Sequence, residues 1–158
     1  MGCPVTLTDH VVEPAEMRRV LGHFASGVTS VTGLHDGEPV GFACQSFTSV
    51  SLDPPLVLFC PAHTSTTWPR IRQAGTFSVN VLAEDQVELC KRFASSGSDK
   101  FDGLAWEQTL WGPSLPEVLA TVHCIIDQVH VAGDHDVVIG KVQRLVTHRE
   151  VGPLLFFK

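Results

Sequence analysis

The stretch with the clearest chemical potential is a polar centre between two apolar runs, in the segment VGFACQSFTSVSLDPPLVLFCP at residues 40–61. The polar centre itself, which we expect to form a loop between two strands, reads Gln45-Ser46-Phe47-Thr48-Ser49-Val50-Ser51. Most of these side chains are small or hydroxylated, so a flat ligand could approach the backbone closely while N–H, C=O and hydroxyl groups meet its polar edge. The pattern favours a planar ring system over a point charge as the ligand.

A second group of oxygen side chains, Ser65, Thr66 and Thr67, precedes a helix-like run that begins at Trp68. Hydroxyl groups in this position can cap a helix. The free N–H groups of a helix N-terminus can equally bind an anion such as a phosphate. The residues alone support both interpretations to the same degree, and the two are compatible.

Two further residues have both a structural and a functional interpretation. Arg92, next to Phe93, falls near the end of a predicted helix, where a cation suits the helix dipole and is usually solvated. His135 follows Gly133 and Asp134 in a turn, where a histidine is most often an exposed turn residue. An imidazole can also hydrogen-bond a carboxamide or stack on a ring. Neither residue is assigned a role by its local sequence.

Metal and disulfide chemistry have little support in the sequence. The five cysteines (Cys3, Cys44, Cys60, Cys90 and Cys124) are scattered, odd in number and without a C-x-x-C pair. Such a set fits reduced thiols better than a zinc knuckle or a complete disulfide framework. The eight histidines, His10 among them, show no H-x-H or H-x-x-x-H spacing.

Length and charge bound the remaining possibilities. The chain of 158 residues is expected to form a single domain over residues 1–158, with 44% hydrophobic and 18% charged residues. A net charge of −6, with 11 Lys and Arg residues and no basic run, disfavours a nucleic-acid partner. No apolar run is long enough to span a membrane, and the amino terminus does not resemble a leader. We therefore expect a cytoplasmic protein.

The periodicity predicts many strands and few helices. A helix is expected from about Glu13 to Ala25, with an apolar face at Met17, Val20, Leu21, Phe24 and Ala25, and a second from Glu84 to about Ser95, with Val87, Cys90, Phe93 and Ala94 inward. The predicted strands cover residues 28–34, 40–44, 56–60, 76–82, 118–131, 137–146 and 154–157, with irregular cover at 106–116. Hairpin turns at Asp36-Gly37 and Gly133-Asp134 favour an antiparallel barrel, and the absence of G-x-G-x-x-G leaves a Rossmann domain unsupported.

Five segments in order resemble one known family. They are the signature at 40–61, LGHFASGVT at 21–29, FSVNVL at 77–82, RFA at 92–94 and GDH at 133–135. Together they are similar to the short-chain flavin reductases, the reductase partners of two-component flavin monooxygenases. This resemblance implies a mainly β fold, the FMN-binding split barrel, which is an antiparallel Greek-key barrel with a few peripheral helices.

The resemblance also implies a site and a reaction. NADH or NADPH would reduce FMN, or FAD, and the reduced flavin would pass to a separate monooxygenase from a homodimeric reductase. His135 would guide the nicotinamide. The flavin-binding residues implied are Gln45, Ser46, Thr48, Ser49, Val50 and Ser51 at the ring, and Ser65, Thr66, Thr67, Arg92 and Phe93 near the phosphate.

The sequence departs from its relatives at two places. Many relatives have Thr and Asn or Ser where Ala43 and Gln45 stand, and most continue past the last strand with a Gly and a Tyr, while this chain contains no Tyr. Two other interpretations stay open. One is a non-catalytic flavin-binding module, for which His135 is the discriminating residue. The other is a split barrel with different chemistry, such as oxidation of pyridoxal-type substrates or heme handling.

Overall fold

The computed structural model describes residues 11–97 and 99–158, so the predictions for Cys3, His10 and the amino terminus lie outside it. Its helices are α1 (Pro14–Leu21), α2 (Trp68–Ala74) and α3 (Val87–Ala94). Its strands are β1 (Ser26–Gly27), β2 (Thr29–His35), β3 (Glu38–Cys44), β4 (Thr48–Leu52), β5 (Pro55–Phe59), β6 (Thr76–Val81), β7 (Glu107–Gln108), β8 (Pro113–Ser114), β9 (Ala120–Ala132), β10 (His135–Thr147) and β11 (Leu155–Phe156).

Seven of the strands form one antiparallel sheet in the order β3-β2-β6-β9-β10-β5-β4. The predicted hairpin between β2 and β3 is confirmed, with Asp36 and Gly37 at positive φ values of 51° and 80°. Both residues of a two-residue type I′ turn require this conformation, which Asp and Gly tolerate. The long β9–β10 hairpin turns at Gly133, as the sequence predicts.

The sheet curves around one apolar core. Its buried cluster takes side chains from β2, β3, β5, β6, β9 and β10, and from Trp68 and Ile71 of α2. β3 at one edge of the sheet and β5, next to the other edge, therefore share one interior, which is the arrangement of a barrel. A second cluster around Phe93 and Leu115 packs α3 and the irregular segment against the outside. The predicted mainly β, antiparallel fold with few helices is confirmed.

Three local predictions are wrong. The first helix ends at Leu21 with Gly22 as its C-cap, so Phe24 and Ala25 lie beyond it, and the Phe24 side chain is 80% exposed. On α3, Phe93 is buried as predicted, but Val87 and Ala94 face outward. The polar centre is not one loop, since Thr48–Leu52 forms β4 in register with β5. Thr48 and Val50 alternate as β-branched residues of a strand do.

The segment at 106–116 is irregular cover as predicted, apart from the short β7–β8 pair. Within the described ranges, none of the helices has the length and apolar character to cross a membrane.

Candidate active site

A cleft of about 900 Å³ opens where the end of β3 and the start of β10 face α1. The cleft is lined by Gln45, Ser46 and His135, among other residues. Gln45 and His135 are 90 positions apart along the chain. A ligand site of this volume lies at the upper end of the usual range for small-molecule pockets. The cleft therefore has room for a large ligand or for two ligands together.

Ser46 joins the end of β3 to the end of β5 at the cleft. Its Oγ accepts a hydrogen bond from the Cys60 backbone N–H at 2.8 Å and lies 3.2 Å from the Cys44 Sγ. Burial raises the pKa of the Cys44 thiol, so this group is a protonated packing partner and not a nucleophile. The hydroxyl of Ser46 thus fixes the shape of the cleft, while Gln45 beside it is exposed.

His135 has a defined orientation at the cleft. Its Nδ1 donates a hydrogen bond to Asp134 Oδ1 at 2.7 Å, and this bond lowers the pKa of the Asp134 carboxyl from its ordinary value. With the proton of the neutral ring on Nδ1, the Nε2 atom carries the free lone pair. His135 can therefore accept a hydrogen bond from a ligand N–H group.

A buried carboxylate, which the sequence reasoning missed, lies one residue further along β10. Asp136 accepts hydrogen bonds from Trp68 Nε1 and His63 Nε2, both at 2.8 Å, and Arg72 Nη1 is 3.7 Å away. The bond from Trp68, followed by that from His63, lowers the pKa of Asp136. This network fastens the start of α2 to β10 beside His135.

The other predicted ring-binding residues lie on β4, outside the walls of the cleft. Thr48, Ser49 and Val50 are exposed and Ser51 is half-buried. β4 is the last strand of the sheet, and its register with β5 shifts between Ser49 and Ser51. An edge strand presents unpaired N–H and C=O groups, and a bulge re-aims them. The backbone of β4 is therefore available to the polar edge of a ligand.

A smaller cavity of about 240 Å³ lies beside the other end of β3, with Thr67, Arg70 and Lys100 in its walls. Lys100 Nζ donates to the carbonyls of Gly41 at 3.0 Å and Phe93 at 3.1 Å. Burial lowers the pKa of this ammonium group. The sequence reasoning missed Lys100 because it stands in a segment that reads only as a polar loop.

The other residues predicted to lie near the flavin phosphate, which are Ser65, Thr66, Arg92 and Phe93, do not line this cavity. Ser65 Oγ accepts a hydrogen bond at 3.1 Å from the N–H of Trp68, the first residue of α2, whereas the N-cap residue Thr67 makes no side-chain cap bond. Thr66 is exposed. Arg92 Nη2 donates to the Asp102 carbonyl at 2.7 Å and so braces the segment that carries Lys100. The Phe93 ring is buried against Phe101.

Gly41 shows how tightly this end of β3 is packed. A Cβ atom at this position would lie 2.7 Å from Phe93 Cε1, closer than a real contact allows. Only glycine lets the Phe93 ring and the Lys100 ammonium approach the same strand.

Comparison with known proteins identifies the family. The family model described as "Flavin reductase like domain" matches residues 21–158. The chain belongs to this family. The resemblance read from the five sequence segments is therefore confirmed, and the match covers the residues of both cavities except those of α1 before Leu21.

Two relatives of this flavin reductase-like protein show how broad the similarity is. It is 51% identical over 148 residues to the reductase subunit HsaB of a flavin-dependent monooxygenase from Rhodococcus jostii (strain RHA1), covering 93% of this chain and 76% of the relative. It is 42% identical over 154 residues to the FMN reductase (NADH) SmoA from Agrobacterium fabrum, covering 94% and 87%.

A solved structure shows the same fold. The NADH:FAD oxidoreductase SgcE6 of Streptomyces globisporus, in complex with NAD and FAD fragments, matches with a TM-score of 0.86 and 34% identity. The match covers 94% of this flavin reductase-like protein and 92% of SgcE6.

Proposed function

We propose that this protein is an NAD(P)H-dependent flavin reductase that reduces FMN or FAD and supplies the reduced flavin to a separate monooxygenase. The observation that carries the proposal is the convergence of Gln45, Ser46 and His135 on one cleft of about 900 Å³. The relatives support it, since they are named as a monooxygenase reductase subunit, an NADH-dependent FMN reductase and an NADH:FAD oxidoreductase.

The described residues fit a flavin mononucleotide along β3. Gly41 lies in the wall of the smaller cavity, and Cys44 immediately precedes Gln45 in the wall of the cleft. At about 3.3 Å per residue, the strand from Gly41 to Cys44 spans about 10 Å. A ring at the cleft and a phosphate at Lys100 would be joined over this distance. Thr67 and Arg70 add a hydroxyl and a guanidinium at the phosphate end.

When bound, flavin and dihydronicotinamide supply the hydride chemistry, and the protein supplies binding and orientation. The exposed amide of Gln45 and the free edge of β4 offer donors to the polar edge of the ring, where they stabilise negative charge. His135 Nε2 accepts from the nicotinamide carboxamide. Because Asp134 accepts a hydrogen bond from His135 Nδ1, the orientation of the imidazole, and with it the direction of the Nε2 lone pair, is fixed before the ligand binds.

The test of the proposal is a steady-state assay of the purified protein with NADH or NADPH and with FMN, FAD or riboflavin. Oxidation of the nucleotide should depend on added flavin, or on flavin that copurifies with the protein. A protein that binds flavin without oxidising either nucleotide would instead be a flavin-binding module.

We expect the substitution His135→Ala to raise the KM for the pyridine nucleotide about tenfold and the KM for flavin much less, because one oriented hydrogen bond to the carboxamide is lost. His130→Ala is the matched control, since His130 bonds Gln128 on the exposed part of β9 and lies outside the cleft. An unchanged nucleotide KM in His135→Ala would remove His135 from the site.

We also propose that the protein is a homodimer. Large apolar side chains lie exposed on several elements, among them Leu52 at 91%, Val131 at 77% and Leu145 at 70%. Large apolar side chains exposed in this number are often covered by a partner, most commonly a second copy of the chain. Sedimentation equilibrium at micromolar concentration should give twice the chain mass. A single species at the chain mass would contradict the proposal.

A further inference from the structure

The wall of the cleft formed by α1 carries a cation, Arg18, that has no role in the proposed reaction as described above. Pro14, Met17, Arg18 and Leu21 line the cleft. They stand at i, i+3, i+4 and i+7, so they share one face of the helix. The neighbouring Arg19 stands on a different face and does not line the cleft. The helix therefore presents one guanidinium, set among apolar side chains, to the ligand space.

The charged side chains around the cleft are separated by sign, with the anion on the side of β10 and the cations on the side of α1. On the side of β10, the Asp134 carboxylate is already bonded to His135. On the side of α1, the cations Arg18 and Lys158 are in the wall. Within residues 11–97 and 99–158, neither of these two side chains forms an ion pair. A ligand with a neutral amide at one end and a phosphate further along would thus find matching groups in that order.

We propose that Arg18 anchors the pyrophosphate of the reduced dinucleotide, holding its adenylyl half against α1 while the nicotinamide lies beside His135. This inference rests on the proposed reductase function, and it identifies the pyrophosphate and the adenylyl half as the parts of the nucleotide that α1 binds. A guanidinium binds phosphate oxygens through two parallel N–H donors, which gives orientation as well as affinity. The exposed side chains of Met17 and Phe24 offer an apolar surface to the adenine.

The experiment compares two reductants in steady state at saturating flavin. NADH carries the pyrophosphate, whereas 1-benzyl-1,4-dihydronicotinamide has the same reacting ring without any phosphate. For Arg18→Gln we expect the KM for NADH to rise about tenfold or more, as for loss of a charge-assisted hydrogen bond. The increase should be confined to the reductant that carries phosphate. The KM for NADH of the wild-type protein should also rise with ionic strength, and Arg18→Gln should weaken this dependence.

Arg19→Gln is the matched control, because it removes the same charge from the same helix outside the cleft. An unchanged KM for NADH in Arg18→Gln would overturn the inference, as would equal increases for both reductants, or an equal effect of Arg19→Gln. If the wild-type protein oxidises neither NADH nor NADPH with any flavin, the proposed function itself fails. That result is distinct from all of these.

Discussion

Replacing Phe59 with alanine is expected to lower the free energy of unfolding by about 3–5 kcal/mol, the usual cost of truncating a buried phenylalanine. The Phe59 ring is fully buried at the centre of the core. Its centroid lies 5.0 Å from that of Phe77, 5.7 Å from that of Trp68 and 6.2 Å from that of Phe42. Removing the ring leaves a cavity between three aromatic neighbours. These lie on three different elements, which cannot all move inward to fill it.

The same substitution should impair the site, because Phe59 precedes Cys60, whose N–H donates to Ser46 Oγ at the cleft. A cavity under β5 frees that strand to move away from Ser46. We therefore expect weaker flavin binding together with a fall of about 10 °C or more in the midpoint of thermal unfolding. Denaturant unfolding and fluorescence titration with flavin measure the two effects.

Two variants serve as references for Phe59→Ala. Leu110→Ala removes a side chain that is 87% exposed, so its effect should stay within about 0.5 kcal/mol. Phe59→Leu keeps most of the volume and should cost less than the alanine variant. A Phe59→Ala protein as stable as Leu110→Ala would show that this ring does not organise the core.

Most of the fold follows from patterns that are local in the sequence. The turn pair Asp36-Gly37 and the β-branched runs on either side of Gly133 specify two hairpins without reference to the rest of the chain. The apolar face of α1 shows the limit of such patterns. Its spacing is that of a helix with a buried side, yet no described element covers it, because periodicity records an apolar face and not its partner.

The site was less predictable, since its contacts join distant parts of the chain. Gln45 and His135 meet only because the barrel brings the end of β3 to the start of β10. Asp136 bonds Trp68 across 68 positions, and Lys100 bonds Gly41 across 59. The local sequence around a single acidic or basic residue in a polar segment does not show whether its charged group will be buried or hydrogen-bonded to a distant part of the chain. The resemblance supplied His135 and Arg92, but not Asp136 or Lys100.

Replacing Lys100 with methionine is expected to weaken FMN binding by roughly tenfold to 100-fold, with a much smaller effect on riboflavin, which lacks the phosphate. An ammonium group has three N–H donors, and Lys100 donates two of them to the carbonyls of Gly41 and Phe93. The third donor and the charge remain for a phosphate in the smaller cavity, beside Thr67 and Arg70. Methionine keeps much of the apolar stem and removes both.

The ratio of FMN to riboflavin affinity separates this role from a structural one. Loss of the two bonds to carbonyls would loosen the segment and weaken both flavins alike, so equal losses would contradict a phosphate contact. Lys91→Met is the control, because the Lys91 ammonium is exposed and paired with Glu88 at 2.7 Å. Arg92→Ala should weaken FMN and riboflavin alike, because Arg92 does not line the smaller cavity. Arg92 bonds the Asp102 carbonyl and acts on the cavity through the segment that carries Lys100.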